Sequence, residues 1–397
     1  MENKTILPFT QEEYLERLKK VKAAMVEHGT DVLFLTEPAN MYWVSGYDAM
    51  SLYTPQGVVV SLDDEMPYWI GRFQDQAGAH ITTWLDDEHI RAYPDKYLWN
   101  PRTLHVMDFV ADFLREKHWQ AKVIGVEKDA HYFTAHWYDR LTAALPDAKF
   151  VDVTNVVNRL RAVKSKQELD YMGIGARIVE KAMGNAINMM EAGVRENAVG
   201  AKIMYDQIMG TGEFGGEYVA LAPIVPAGDR TAAAHLTWRT EGCYENNQLV
   251  YIEIAGVYRR YHAPLARTIF IGEPPKIVSD TAKVCIEGIN AAMEAAKPGV
   301  TCEEVERVWQ TTINKYGFEK ESRMGYAVGI GYAPVWMENT EMCFKPGDKN
   351  VLEPNMTFHM MPGLWLDGYG VAITECIRIT DRGAETITKF PRKLFVK

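Results

Sequence analysis

Two periods of hydrophobic spacing share the chain, and the places where they change mark out its elements. Residues 14–29 repeat apolar side chains at helical spacing. Thr10 and Glu13 stand as a capping box ahead of them, and Gly29 is a fitting stop. Continuous apolar runs at 31–36, 57–62, 66–71 and 122–127 predict buried strands. Residues 39–47 read as a short helical or turn segment, and 103–117 and 136–145 as amphipathic helices. Strands interleaved with helices predict an α/β N-terminal domain, placed at residues 1–158.

Past that point the pattern changes. Residues 164–190 form one long helical repeat, with Ser165 as N-cap and Glu168 three positions on. Leu169, Met172, Ala176 and Val179 fall on one face of it. A second helix is expected at 195–210, then strands at 218–225, 248–256 and 266–272. Helices at 276–296 and 302–316 precede strands at 356–362 and 371–380. Helices and strands come in pairs, twice over. The reading is an α+β C-terminal domain, residues 159–397, with a structural pseudo-repeat that leaves no visible repeat in the sequence.

Composition narrows the function classes. A length of 397 residues suits two domains, and 47% hydrophobic residues give each an ample core. A net charge of −10 without a basic stripe argues against a nucleic-acid partner. The five cysteines include no C-x-x-C pair, so reduced thiols are expected rather than a disulfide framework or zinc ribbon. The N-terminal stretch is polar, and no run approaches the ~18 apolar residues of a membrane span. The expectation is a cytoplasmic protein with no membrane partner.

Three polar side chains interrupt apolar strands. Alternation puts Tyr251, Glu253 and Ala255 on one face of their strand, and Ile252 and Ile254 on the other. A carboxylate so placed is costly to bury without a partner, so Glu253 is either a salt-bridge residue or a functional one. Glu375 in 371–380 and His359 in 356–362 pose the same choice. His235 follows a Gly/Asp turn and a run of alanines. A lone histidine is more often structural, but small neighbours leave room around this ring, which could move a proton near neutral pH. A two-metal hydrolase would need several hard oxygen ligands and a histidine, and the strands of Glu253 and Glu375 carry one carboxylate each. No H-E-x-x-H, Walker loop or G-x-S-x-G occurs, and Gly329 and Gly331 alone make no dinucleotide fingerprint.

The stretch "RAVKSKQELDYMGIGA", with Arg161, Lys164, Glu168, Met172 and Ala176, resembles the start of the catalytic domain in the prolidase, methionine aminopeptidase and creatinase superfamily. "AHLTW", "YIEIAGVYRRYHAPLART", "GYAVGIGY", "MTFHMMPGLW" and "ITECIRIT" follow in that family's order. "ANMYWVSGY" resembles its N-terminal domain, so the likeness covers the whole chain. The resemblance implies a creatinase-like N-terminal domain and a pita-bread catalytic domain. Matched motif by motif, the metallopeptidase ligand positions fall on Glu253, Pro264, Tyr326, Met361 and Thr374. Pro and Met cannot replace hard oxygen ligands, so no metal and no other cofactor is expected.

Creatinase-type members of the superfamily hydrolyse without metal, and their catalytic histidine falls on His235. The motifs are further similar to those of cyclic-amidine hydrolases, with two departures: Met50 stands in place of an aromatic residue and Ala372 in place of an acidic one. The implied activity is metal-independent hydrolysis of a small cyclic amidine. Glu253 would attack or act as base, His235 would carry the proton, and Glu375 would hold the amidinium. Tyr258, Tyr326, His359 and Trp365 would line the pocket. A homodimer is implied, with Tyr53 of one subunit completing the other's site. Arg267 is read as a structural charge partner. The alternatives are another creatinase-type amidinohydrolase, an Xaa-Pro peptidase with atypical ligands and a non-catalytic binding module. The peptidase would require bound metal, and the binding module would show no turnover.

Overall fold

A computed structural model describes residues 7–338 and 341–397; Asn339, Thr340 and the first six residues of the polar N-terminal stretch lie outside it. The chain forms two compact units that divide between Arg161 and Ala162.

The first unit is built on six strands: β1 (Val32–Leu35), β2 (Gly57–Ser61), β3 (Tyr68–Arg72), β4 (Ile90–Tyr93), β5 (Val123–Val126) and β6 (Lys149–Asp152). They form one sheet in the order β4-β3-β2-β1-β5-β6. The pairs β1–β5, β5–β6 and β3–β4 are parallel, while β2 runs antiparallel to both of its neighbours. The helices are α1 (Gln11–Glu27), α2 (Pro38–Ser45), α3 (Gln76–Thr82), α4 (Lys96–Trp99), α5 (Val106–Glu116) and α6 (Ala135–Ala144), with α7 (Val156–Ala162) leading out. Val110, Ala111 and Leu114 of α5 and Leu141 of α6 share a core with Phe34, Val59, Ile70 and Ile124. This is the α/β layer the interleaved pattern requires. At the first helix only half of the expected capping box forms. Thr10 Oγ1 accepts from the Glu13 N–H at 3.3 Å, but the Glu13 carboxylate turns to Arg17 at 2.7 Å.

The second unit opens with α8 (Lys166–Met189) and α9 (Glu196–Met209), followed by the long strands β7 (Gln248–Tyr258) and β8 (Tyr261–Ile271). Then come α10 (Lys276–Ala295), α11 (Cys302–Asn314), β9 (Gly325–Tyr332), β10 (Val335–Met337), β11 (Cys343–Phe344) and β12 (Thr357–Met360). The small pair β13 (Leu364–Leu366) and β14 (Tyr369–Val371), then β15 (Glu375–Thr380), β16 (Gly383–Thr386) and β17 (Phe395–Val396), complete it. Nine strands form one sheet with β16-β15-β12-β9-β8-β17 as its path; β7 pairs with β8, and β10 and β11 with β9.

The helix-pair and strand-pair repeat is real in space. Val179, Ala182 and Met183 of α8 and Ile203 of α9 pack on Ile252, Ile254 and Leu265 of β7 and β8. Cys285 and Ile289 of α10 and Trp309 of α11 pack on Ala327, Phe358 and Ile377 of β9, β12 and β15. Ser165 and Glu168 form the full capping box at α8, and Glu168 Oε1 also accepts from the Tyr261 hydroxyl at 2.6 Å. That bond ties the start of the helix to β8.

Three expectations need correction. Residues 218–225 are not a strand. Proline at 223 and 226 removes two ladder donors, and the stretch pairs with β7 through isolated bridges at Ile224–Glu253 and Ala227–Val250. The apolar run 371–380 is broken, because Ala372 and Thr374 turn their N–H groups to Thr268 Oγ1 and Ala266 O on β8. Conversely, β9 is a full strand whose glycines hid it. A Cβ at Gly329 would lie 2.5 Å from Glu338 Oε1, and one at Gly331 2.8 Å from the His262 ring. Close approach, not flexibility, requires glycine at both positions.

Candidate active site

β7 borders a pocket of about 410 Å³, and the segments just before β9 and just after β12 reach it as well. Glu253 and Met361 form part of its wall, with Ala234 and His235 from the loop before β7 and Trp365 from β13. Ser322, Arg323 and Lys345 complete the lining. A cavity of this size takes a small molecule rather than a folded partner.

Glu253 is 4% exposed. Its backbone is fixed twice, by the ladder to Ala266 of β8 and by both bonds to Ile224. Burial pushes its carboxyl up to about 7, and the positive charge of Lys320 opposes the shift. Among the described residues the carboxylate has no hydrogen bond or ion pair. Buried polar atoms are almost always paired, so a charge kept bare in a pocket needs a reason.

Lys320 reaches the same region. Its ammonium donates to Gly363 O at 2.7 Å, lies 4.4 Å from the centroid of a Trp365 ring, and is pushed down to about 8 by burial. His235 is exposed, on a loop held at both sides: the Tyr251 hydroxyl donates to Ala233 O at 2.8 Å, and Thr237 Oγ1 to Pro223 O at 2.6 Å. The loop thus presents the imidazole to the pocket that Glu253 lines.

Behind the pocket lies a closed hydrogen-bond chain. Trp336 Nε1 donates to the Tyr326 hydroxyl at 2.7 Å; that hydroxyl lies 2.9 Å from His359 Nδ1, and His359 Nε2 lies 2.7 Å from Thr374 Oγ1. Thr374 Oγ1 also accepts from Ala266 N–H at 2.7 Å. Burial pushes His359 down to about 3 and the Tyr326 phenol far above its ordinary value. A neutral imidazole here is a relay of hydrogen bonds, not a base.

The structure does not bring all the expected residues to the pocket. Glu375 is a correction. Its carboxylate sits 2.8 Å from Arg267 Nη2 and 3.0 Å from Arg392 Nε, and accepts from Thr388 at 3.0 Å. It is spent on that network and does not line the cavity. Tyr258 is another correction: its ring packs edge-on against Tyr171 and Phe214, away from the pocket lining. Tyr326 and His359 form the second layer rather than the wall. Tyr53 lies in the first unit, 81% exposed. The pattern reading missed Lys320, Ser322, Arg323 and Lys345. The first three sit in "EKESR", a charged stretch abutting the apolar run of β9, and that abrupt junction was the available signal.

The fold and pocket define a pita-bread hydrolase scaffold. The chain matches the family model for metallopeptidase family M24 over residues 170–381, and that for the creatinase/prolidase N-terminal domain over 17–163. It is 42% identical over 398 aligned residues to the ectoine hydrolase of Halomonas elongata, covering 98% of this chain and 99% of that one. It is 40% identical to an uncharacterized hydrolase/peptidase of Sinorhizobium fredii, over 99% of both chains. Among solved structures, a prolidase from Thermococcus sibiricus superposes with a TM-score of 0.83 at 20% identity, over 97% of this chain and 99% of that one. At that identity the likeness speaks to the fold alone. The chain belongs to the M24 family, with a creatinase/prolidase N-terminal domain ahead of its catalytic domain.

The family's metal centre does not fit these residues. Of the five ligand positions, only Glu253 offers a carboxylate. Pro264 lies opposite Ala255 in the ladder, Met361 packs in the apolar cluster of Ala255 and Tyr326, and Tyr326 and Thr374 are engaged with His359. Among the described residues no group of three His, Cys, Asp or Glu side chains is placed to hold a metal ion.

Proposed function

We propose that this chain hydrolyses the cyclic amidine ectoine, and by the same chemistry hydroxyectoine, to the N-acetyl-diaminobutyrate product of ring opening. The observation that carries the reading is Glu253: a bare carboxylate in a small-molecule pocket, on a scaffold whose metal ligands are gone. The amidinium carbon between two nitrogens is already electrophilic, so a Lewis acid adds little, and a metal cation would repel the substrate. A carboxylate attracts it, and the pairing offsets the cost of desolvation.

Two routes use the same residues. In one, a Glu253 oxygen bonds to the amidine carbon; the ring C–N bond breaks as His235 delivers a proton to the departing nitrogen, and water then releases the acyl-type adduct. In the other, Glu253 takes a proton from water, hydroxide adds to the same carbon, and His235 again protonates the leaving nitrogen. Both consume one water and give one amide and one amine. Trp365 closes one wall of the pocket, and Tyr326 and His359 fix the floor behind it.

We further infer a cytoplasmic homodimer that works without metal, in which Tyr53 of one subunit completes its partner's site. The exposed Tyr53, with Met50 beside it at 70% exposure, supports this reading. The direct test is incubation of the purified protein with ectoine and identification of the product by mass spectrometry. Absence of turnover, together with metal-dependent cleavage of Xaa-Pro dipeptides, would overturn the assignment in favour of a peptidase.

A further inference from the structure

The pocket carries a charge imbalance that hydrolysis of a simple amidine leaves unexplained. Its lining has one carboxylate, Glu253, and two cations, Arg323 and Lys345. The Lys320 ammonium adds a third positive charge within electrostatic reach of Glu253. A purely cationic amidine entering here would meet surplus charge of its own sign.

Arg323 is the cation free to bind something. It is half-buried, and its guanidinium carbon stands 5.1 Å from the centroid of the Tyr326 ring. Its guanidinium also lies within hydrogen-bonding reach of the Cys343 thiol, a poor acceptor. Among the described residues no carboxylate is paired with it. Two buried arginines elsewhere are treated differently: Arg267 donates to four backbone carbonyls and Glu375, and Arg17 to Glu13 and a carbonyl. Among the described residues, Arg323 lines the cavity with no carboxylate or carbonyl on its planar fork, and that fork matches a carboxylate in two-point geometry.

We infer that Arg323 is the anchor for a carboxylate on the substrate, and that the site selects amidines carrying their own negative charge. The inference rests on the proposed cyclic-amidine chemistry. In it, Glu253 pairs with the amidinium and Arg323 with the carboxylate, so a zwitterion spans the pocket as a matched dipole. Lys345 and Ser322 border the same end and strengthen the preference for an anion there. Selectivity follows from loss of pairing: an amidine without the carboxylate leaves the guanidinium unsatisfied and brings an uncompensated positive charge.

The test compares ectoine with 2-methyltetrahydropyrimidine, the same ring without the carboxylate. The wild-type enzyme should favour ectoine in kcat/KM by about 10- to 150-fold, the range for hydrogen bonds to a charged group. Arg323→Met should collapse that ratio toward one, chiefly through KM for ectoine. Arg323→Lys, which keeps charge but not the fork, should fall between. A wild-type ratio near one overturns the inference without recourse to any variant. So does an Arg323→Met enzyme that loses activity on both compounds equally, since that marks a structural role. If wild type turns over neither ring, the proposed function itself fails and this inference with it; activity with an unchanged ratio sinks the anchor alone.

Discussion

The hydroxyl of Tyr326, one of the positions matched to the family's metal ligands, lies 2.9 Å from Nδ1 of His359. With Thr374 on the other ring nitrogen, the space is filled by neutral, mutually satisfied groups. Such a network gains nothing from a divalent ion, which would have to break it and strip its own water shell. Activity should therefore survive EDTA, and elemental analysis of active protein should find far less than one transition metal per chain. Stoichiometric metal, with activity lost on stripping and restored on addition, would contradict this.

Glu375 should matter for folding rather than chemistry. Its carboxylate links Arg267 of β8 to Thr388 and Arg392 of the C-terminal segment, inside the protein. Replacing one partner of a buried pair leaves the other charge uncompensated, at a cost of roughly 3–5 kcal/mol. Glu375→Gln should lower the unfolding midpoint in denaturant accordingly, while kcat of the folded protein stays within a few-fold of wild type. A large fall in kcat at unchanged stability would return this residue to the reaction.

Glu253 should trade stability for activity with a definite pH signature. Its folded-state value of about 7 lies above the ordinary 4.5. The folded protein therefore holds this proton more tightly than the unfolded chain. The resulting stabilisation is full below pH 4.5, declines as pH rises through 7, and is gone above it. The total is on the order of 3 kcal/mol. Thermal melts should show Glu253→Gln gaining on wild type between pH 5 and 8. Over the same range kcat/KM of wild type should climb with an ascending limb near 7, because the ionised form does the work. Lys320→Met removes the opposing cation and should move that limb to higher pH; a limb that stays in place would detach Lys320 from Glu253.

The sequence pattern was most legible where one period persisted. The long helix α8 and its capping box follow directly from Ser165, Glu168 and the apolar face, and β7 from its alternation about Glu253. The pattern failed where packing overrode it. Glycines at 329 and 331 disguised β9, since they are demanded by neighbours distant in sequence. Prolines at 223 and 226 turned an apolar run into an irregular segment. At the site, Glu253 announced itself because a lone carboxylate in an apolar strand has few explanations. Glu375 shared that appearance, and only Arg267 and Arg392, brought in by the fold, distinguish the two. Lys345 was invisible and the charged junction that holds Arg323 was a weak signal, because charged residues beside a strand are ordinary until a cavity is seen to end on them.

The dimer reading makes a complementation prediction. A Tyr53→Ala protein and a Glu253→Gln protein should each be impaired when alone. Mixed under conditions of proven subunit exchange, they should recover part of the lost activity, because one hybrid site regains both residues. A mixture that stays as inactive as its components would mean that each chain's site is self-contained.

The final prediction separates the two routes open to Glu253. Glu253→Gln keeps the shape and removes both charge and nucleophilicity, so turnover should fall by at least ~10³. His235→Ala removes only the proton carrier, worth roughly 10²–10⁴. The two variants should also differ in what they accumulate. If a Glu253 oxygen bonds to the amidine carbon, ring opening still needs a proton on the departing nitrogen. Without His235 that step stalls, and ectoine stays attached to the chain. Intact-protein mass spectrometry of His235→Ala after mixing with ectoine would then show the added mass of the substrate, lost again when Glu253→Gln is introduced as a second change. If Glu253 only activates water, the variant is slow but carries no adduct at any time point. Should Glu253→Gln hydrolyse ectoine at near wild-type rate, neither route survives, and the bare carboxylate in the pocket must be assigned another task.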